Sequence, residues 1–181
     1  MQSASYDVTL SGSYAIFNKS VQTIDLSLFF NDPMEYYRPK ISSDGQEYIL
    51  QPGEYILVGL REKFNIPKDI VAHIRPRTRF TKIGLLIAGQ HCNPTYSGTL
   101  HIGLFNASPN ALKLSPGIAI AQVVFEQLSG LPTVEKLYVN KKNAAYMNEA
   151  KFRGSILNER GWSKDLEKSY QQFLATLDEK E

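Results

Sequence analysis

Much that would reveal a common chemistry is missing from this chain of 181 residues. It has one cysteine, Cys92, which excludes an internal disulfide and fits a reducing compartment. That thiol reads as a small buried hydrophobe rather than a nucleophile. The three histidines, His73, His91 and His101, keep none of the spacings of zinc sites, so no protein metal site is expected. There is no P-loop, no dinucleotide fingerprint and no nucleophile elbow. No apolar run approaches the ~20 residues of a membrane span. The opening MQSASYDVTL lacks the basic and apolar regions of a signal peptide, and the cytoplasm is the expected location. A net charge of +2, from 20 basic and 18 acidic residues, is too small for a nucleic-acid surface. Any anionic ligand must therefore meet a local basic cluster.

What is present points to strands. Ten Tyr, nine Phe and short Ile/Val runs mark Glu54–Leu60, Ile70–Ile74, Ile83–Ala88, Thr99–Phe105 and Ile118–Phe125. Turn chemistry separates them at Pro52-Gly53, Pro67-Lys68-Asp69, Pro94 with Gly98, Pro109-Asn110 and Pro116-Gly117. Strands at this spacing, without helical patterns between them, predict an antiparallel barrel or jelly roll. The tail differs. From Trp162 the sequence places Trp162, Leu166, Tyr170, Phe173, Leu174 and Leu177 on one helical face, with Ser163 as N-cap. Such a helix either docks on its own subunit or a neighbour, or recruits a separate protein partner. The division expected is a β domain over 1–140 and a closing segment with an amphipathic helix over 141–181.

Short polar stations sit at the strand ends. They are SASYDVTLSGSY, then LQPGEYILVGLREKFNIPKDIVAHIRPRTRFTKIGL, then NPTYSGTLHIGLFN, then LSPGIAIAQVVFEQLSG. Four stations in this order resemble the dCTP deaminases and their dUTPase relatives, from about Ser3 to Gly154. The resemblance implies a distorted jelly roll that assembles as a homotrimer with active sites shared between subunits. The implied ligand is a deoxypyrimidine triphosphate, dCTP or dUTP, with Mg²⁺ carried on its phosphates.

Residue by residue, Arg77-Thr78-Arg79-Phe80-Thr81-Lys82 resembles the family's phosphate station, Arg-Ser-Ser-x-Ala-Arg. Thr78 keeps the hydroxyl of the first serine, and Arg77 and Lys82 supply cations to phosphate oxygens. Lys82 keeps the charge of the final arginine without its fork. Asn93-Pro94-Thr95-Tyr96-Ser97-Gly98 resembles the sugar station, where an aromatic ring packs on deoxyribose, here Tyr96. Gln122 resembles the glutamine of the fourth station. Lys151-Phe152-Arg153-Gly154 resembles the segment closing over the triphosphate, which makes Lys151 and Arg153 substrate-binding candidates. Asp7 resembles the first-station aspartate.

Two positions depart from the family. Asn93 stands where dUTPases carry an aspartate that activates water, and an amide has no basic site near neutral pH. Gly103 stands where deaminases carry a proton-shuttling glutamate, a kind of group worth ~10²–10⁴-fold in rate. His101, two residues earlier, turns to the same strand face. It offers either an imidazole near the base or a satisfied structural histidine. The catalytic candidates are therefore Thr78 and His101. Two functions stay open: a hydrolase of deoxypyrimidine triphosphates, or a catalytically silent nucleotide-binding or regulatory paralogue.

Overall fold

The computed structural model describes residues 4–17, 19–20, 37–41, 47–141, 144 and 146–150, with residues 37–41 as backbone alone. Ten strands run through them: β1 Tyr6–Phe17, β2 Tyr37–Ile41, β3 Tyr48–Leu50, β4 Tyr55–Asn65, β5 Ile70–Pro76, β6 Leu85–Ile87, β7 His91–Cys92, β8 Ser97–Asn106, β9 Leu112–Leu114 and β10 Ala119–Gln127. Seven strands follow the order β6-β8-β4-β1-β10-β5-β7, and β2 joins the same sheet beside β1. A separate two-stranded sheet pairs β3 with β9. Every pairing between these strands is antiparallel. The all-β, curled barrel-like architecture expected from the turn spacing is the one observed.

The core follows from alternation. Along β8, Leu100, Ile102, Leu104 and Asn106 are buried, while Thr99 and His101 turn to the other face. β4 does the same with Ile56, Val58 and Leu60 inward and Tyr55 and Leu57 outward. Val8 and Leu10 of β1, Ile120 and Val123 of β10, and Ile74 of β5 close the cluster. Each such side chain stabilises the fold by ~1.5–3 kcal/mol. Truncating Ile102, which is fully buried, would cost ~2–5 kcal/mol through the cavity left behind. The Asn106 amide, fully buried, is satisfied on both ends. Its Nδ2 donates to the carbonyls of Leu50 and Asn110, and its Oδ1 accepts from the Ser108 amide and hydroxyl.

The structure adds to the expected elements. β4 continues to Asn65 and β5 to Pro76, beyond the apolar runs, because ladder bonding carries past the last hydrophobic residue. One helical turn, α1 at Thr78–Thr81, occupies the basic segment. Strand structure ends at Gln127, and two 3₁₀ turns follow, Val134–Lys136 and Tyr138–Asn140. Among the described residues no helix is long and apolar enough to cross a membrane. The amphipathic helix read from Trp162 onward lies outside the described residues.

Candidate functional site

The segment Asn93–Gly98 turns a tight corner before β8. The Tyr96 amide donates to the Asn93 carbonyl at 3.0 Å, the Thr95 amide donates to the Ile66 carbonyl, and the Ile66 amide donates to the Tyr96 carbonyl. Thr95 sits at φ 66°, a left-handed conformation that a β-branched residue adopts only when its surroundings enforce it. Its hydroxyl accepts from the Val139 amide and donates to the Pro94 carbonyl, so the strained residue is held from both sides.

Beside this corner lies a cavity of about 550 Å³, lined among others by Tyr55, Gln90, Asn93, Tyr96, His101, Tyr138 and Glu149. Tyr96 is only 4% exposed. Its hydroxyl donates to the Thr99 carbonyl at 2.6 Å, and its ring lies 5.9 Å from that of Tyr138. Burial pushes its phenol up, with the charge of Glu149 adding to the effect. Tyr96 is thus a corner aromatic fixed in place, whose ring forms part of the cavity wall. Cys92 lines the same cavity, and burial pushes its thiol up to about 12, which makes it inert near neutral pH.

His101 stands on the cavity face of β8, opposite Gly59 of β4. Its Nδ1 lies 3.3 Å from Glu149 Oε1, and both side chains are at least nine-tenths buried. On the far side of the ring, Nε2 and the hydroxyls of Ser11 and Ser13 converge on the space that a Cβ at Gly59 would fill, with Nε2 3.4 Å and Ser11 Oγ 2.7 Å from that point. Glu149 reaches this position because its segment docks on β8. The Thr99 amide and hydroxyl both donate to the Glu149 carbonyl, at 2.7 and 2.8 Å, and the Asn148 amide donates to the Ser97 carbonyl at 2.7 Å. Gly98 makes the approach feasible: at φ 147° it adopts a backbone that side chains disfavour, and a Cβ there would stand 2.9 Å from the Glu149 nitrogen.

Gly103 lies on the same face, opposite Leu57. The space its missing side chain leaves is taken by Tyr55, whose Cζ would be 2.7 Å from a Cβ at that position. Burial pushes the Tyr55 phenol up, so a neutral hydroxyl stands where the resemblance places a carboxylate in deaminases.

The basic segment is elsewhere. Arg77 forms an ion pair with Asp7 at 2.5 Å, Arg79 donates to the Ala119 carbonyl and stacks on Phe80, and Thr78 and Lys82 are exposed. Gln122 lies beside this segment, pairing in register with Asp7 on one side and Arg75 on the other, and accepting from the Ser5 hydroxyl. The structure therefore brings the sequence candidates together as two groups: Asn93, Tyr96 and His101 at the cavity, and Arg77, Thr78, Lys82 and Gln122 on the β5–β10 side. None of the second group lines the cavity. Lys151 and Arg153 lie outside the described residues. Sequence reading missed Tyr55 and Glu149. Alternation in EYILVGL puts Tyr55 on the Gly59 face, but only the β4–β8 register brings it over Gly103. Glu149 belongs to no periodic pattern.

The dCTP deaminase-like family profile matches residues 1–128. The dCTP deaminase of Haemophilus ducreyi is 31% identical over 168 residues, covering 86% of this chain and 84% of its own. A dUMP-forming dCTP deaminase of Persephonella marina is 26% identical over 129 residues, covering 71% of this chain and 70% of its own. Among solved structures, the 2′-deoxycytidine 5′-triphosphate deaminase of Agrobacterium tumefaciens has the same fold, with TM-score 0.54 and 17% identity. That superposition covers 70% of this chain and 40% of the other. With its ordered polar stations and its curled antiparallel sheet, the chain belongs to the dCTP deaminase-like family, within the dCTP deaminase/dUTPase superfamily.

Proposed function

We propose that the chain is a deoxypyrimidine nucleoside triphosphate hydrolase, acting on dCTP by deamination or on dUTP by release of dUMP. One observation carries the reading: a single cavity wall gathers Asn93, Tyr96 and His101 beside a partly polar, partly aromatic space. In this reading the sugar rests against Tyr96, Asn93 hydrogen-bonds the 3′-hydroxyl, and His101 is the proton acceptor. The phosphates meet Arg77, Thr78 and Lys82 of a neighbouring subunit, with Gln122 beside them. The separation of the two groups within one chain supports a homotrimer with shared sites. Lys151 and Arg153 close over the triphosphate, and Mg²⁺ arrives on the phosphates as part of the substrate. The names of the two relatives support the substrate class.

A second reading, a silent nucleotide-binding or regulatory paralogue, is favoured by Tyr55 filling the space over Gly103 and by the amide at Asn93. One experiment separates them. Purified protein is incubated with dCTP or dUTP and Mg²⁺, and the products are resolved by chromatography. Formation of dUTP or dUMP supports the hydrolase, whereas nucleotide bound but recovered unchanged supports the silent paralogue.

A further inference from the structure

The resemblance to deaminases leaves Glu149 without a task, since it accounts for a carboxylate on β8 and not for one arriving from beyond the barrel. A carboxylate is costly to bury away from water unless a partner compensates it. Glu149 is 6% exposed, and its Oε1 faces His101 Nδ1 at 3.3 Å on the wall of the cavity. Its backbone is held independently of its side chain by the Ser97 and Thr99 contacts, so the carboxylate is aimed rather than trapped by chance.

We propose that Glu149 is the positioning residue for His101, fixing the ring with its proton on Nδ1 so that Nε2 is left as the proton acceptor. The inference rests on the hydrolase reading given above. A base oriented by a third group is the recurrent solution where an imidazole must present one particular nitrogen. Among the described residues, Nδ1 faces the Glu149 carboxylate, while Nε2 stands with the Ser11 and Ser13 hydroxyls of β1 around the space over Gly59 of β4. The attacking water is the one that hydrogen-bonds Nε2, the ring nitrogen turned away from the carboxylate. When the water oxygen bonds to the substrate, either C4 of cytosine or the α-phosphorus, one proton passes to Nε2. The imidazolium then faces the Glu149 carboxylate. As the C–N or P–O bond breaks, that proton goes to the departing ammonia or pyrophosphate, and the ring returns to its neutral form. The carboxylate that deaminases carry on the strand is replaced here by a histidine and a glutamate from two segments.

The test uses the full chain with nitrogen-labelled histidine, and compares wild type, Glu149→Gln and Glu149→Asp by the ring-nitrogen resonances that report which nitrogen carries the proton, and by turnover of dCTP and dUTP. Without the carboxylate the preference for a proton on Nδ1 weakens, so the His101 ring-nitrogen resonances in Glu149→Gln should move toward those of a mixture of the two neutral tautomers. Its kcat should drop roughly 10²-fold with KM little changed, and Glu149→Asp should recover part of both. Resonances unmoved by Glu149→Gln overturn the pairing, while persistent wild-type turnover would leave the hydrolase reading intact. Moved resonances with undiminished kcat overturn the positioning role alone. A wild type that turns over neither nucleotide overturns the hydrolase reading and the positioning role with it.

Discussion

The cavity wall around His101 and the basic turn from Arg77 to Lys82 are built in opposite ways. In the wall, polar groups are fixed by backbone: Tyr96 by the Thr99 carbonyl, Thr95 by Val139 and Pro94, and Glu149 by its docking on β8. In the turn, Thr78 and Lys82 are exposed at the two ends of a single helical turn, while Arg77 is anchored to Asp7 and Arg79 to the Ala119 carbonyl. A preorganised wall suits chemistry, because groups that need not rearrange stabilise a developing charge most. An exposed cationic turn suits capture of phosphate, where flexible charged donors gain a partner on binding. On the proposed reading positioning and charge neutralisation are separate, and in one chain the two groups do not share the cavity.

The largest effect should come from breaking the wall. His101→Gln should lower turnover of the active substrate by ~10²–10⁴-fold, while calorimetry finds its affinity nearly unchanged. An equal loss of affinity would make the wall a binding element and blur the distinction. The turn should behave conversely: Arg77→Ala should weaken binding of dCTP and dUTP about ten- to hundred-fold, as loss of a charge-assisted hydrogen bond does. Unchanged affinity by the same calorimetry would remove the turn from the site.

A smaller effect tests how tightly the wall is filled. Gly103→Glu drives a side chain into the Tyr55 phenol, and overpacking of this kind costs ~1–3 kcal/mol, read by urea unfolding. Adding Tyr55→Ala should make the double variant less destabilised than the two costs summed. Strict additivity would mean that Tyr55 is not the obstacle. Inserting a glutamate at 103 alone is therefore no direct route to deamination. The smallest effect is an expected silence. With its thiol held at about 12, Cys92 should resist iodoacetamide at pH 8 in the native protein and react once urea unfolds it. Rapid native labelling would show the wall to be looser than its hydrogen bonds imply.

The barrel was legible because strands covered on one face tend to alternate, as Thr99–Ile102 does, and because short β-branched and aromatic runs bounded by turn residues mark strands even where the alternation breaks, as at Ile120–Ala121. Short strands such as β3, β7 and β9 were not, since two or three residues cannot express a period. Among the cavity-lining residues, Asn93 and Tyr96 were readable because they sit in a short station that resembles the family's, and His101 because strand alternation turns it to the face of Gly103. The occupancy of the space at Gly103 was not, because it depends on the pairing of Leu57 with Gly103, a long-range register. The carboxylate beside His101 was invisible for a different reason. It comes from a segment after the last strand, where neither periodicity nor motif marks it.

The docking of residues 148–149 has a consequence for solubility as well. β6 pairs only with Leu104–Asn106 of β8, so the opposite end of that strand, at Ser97–Thr99, offers backbone donors and acceptors along its edge. An open edge of this kind templates the addition of strands from other chains. Asn148 and Glu149 occupy it through a short parallel bridge at Gly98 and the bonds to Ser97 and Thr99. Truncating the chain before Asn148 would accordingly do more than remove a carboxylate: it would expose a sticky strand edge, and the shortened protein should form concentration-dependent aggregates under conditions in which the longer one stays dispersed.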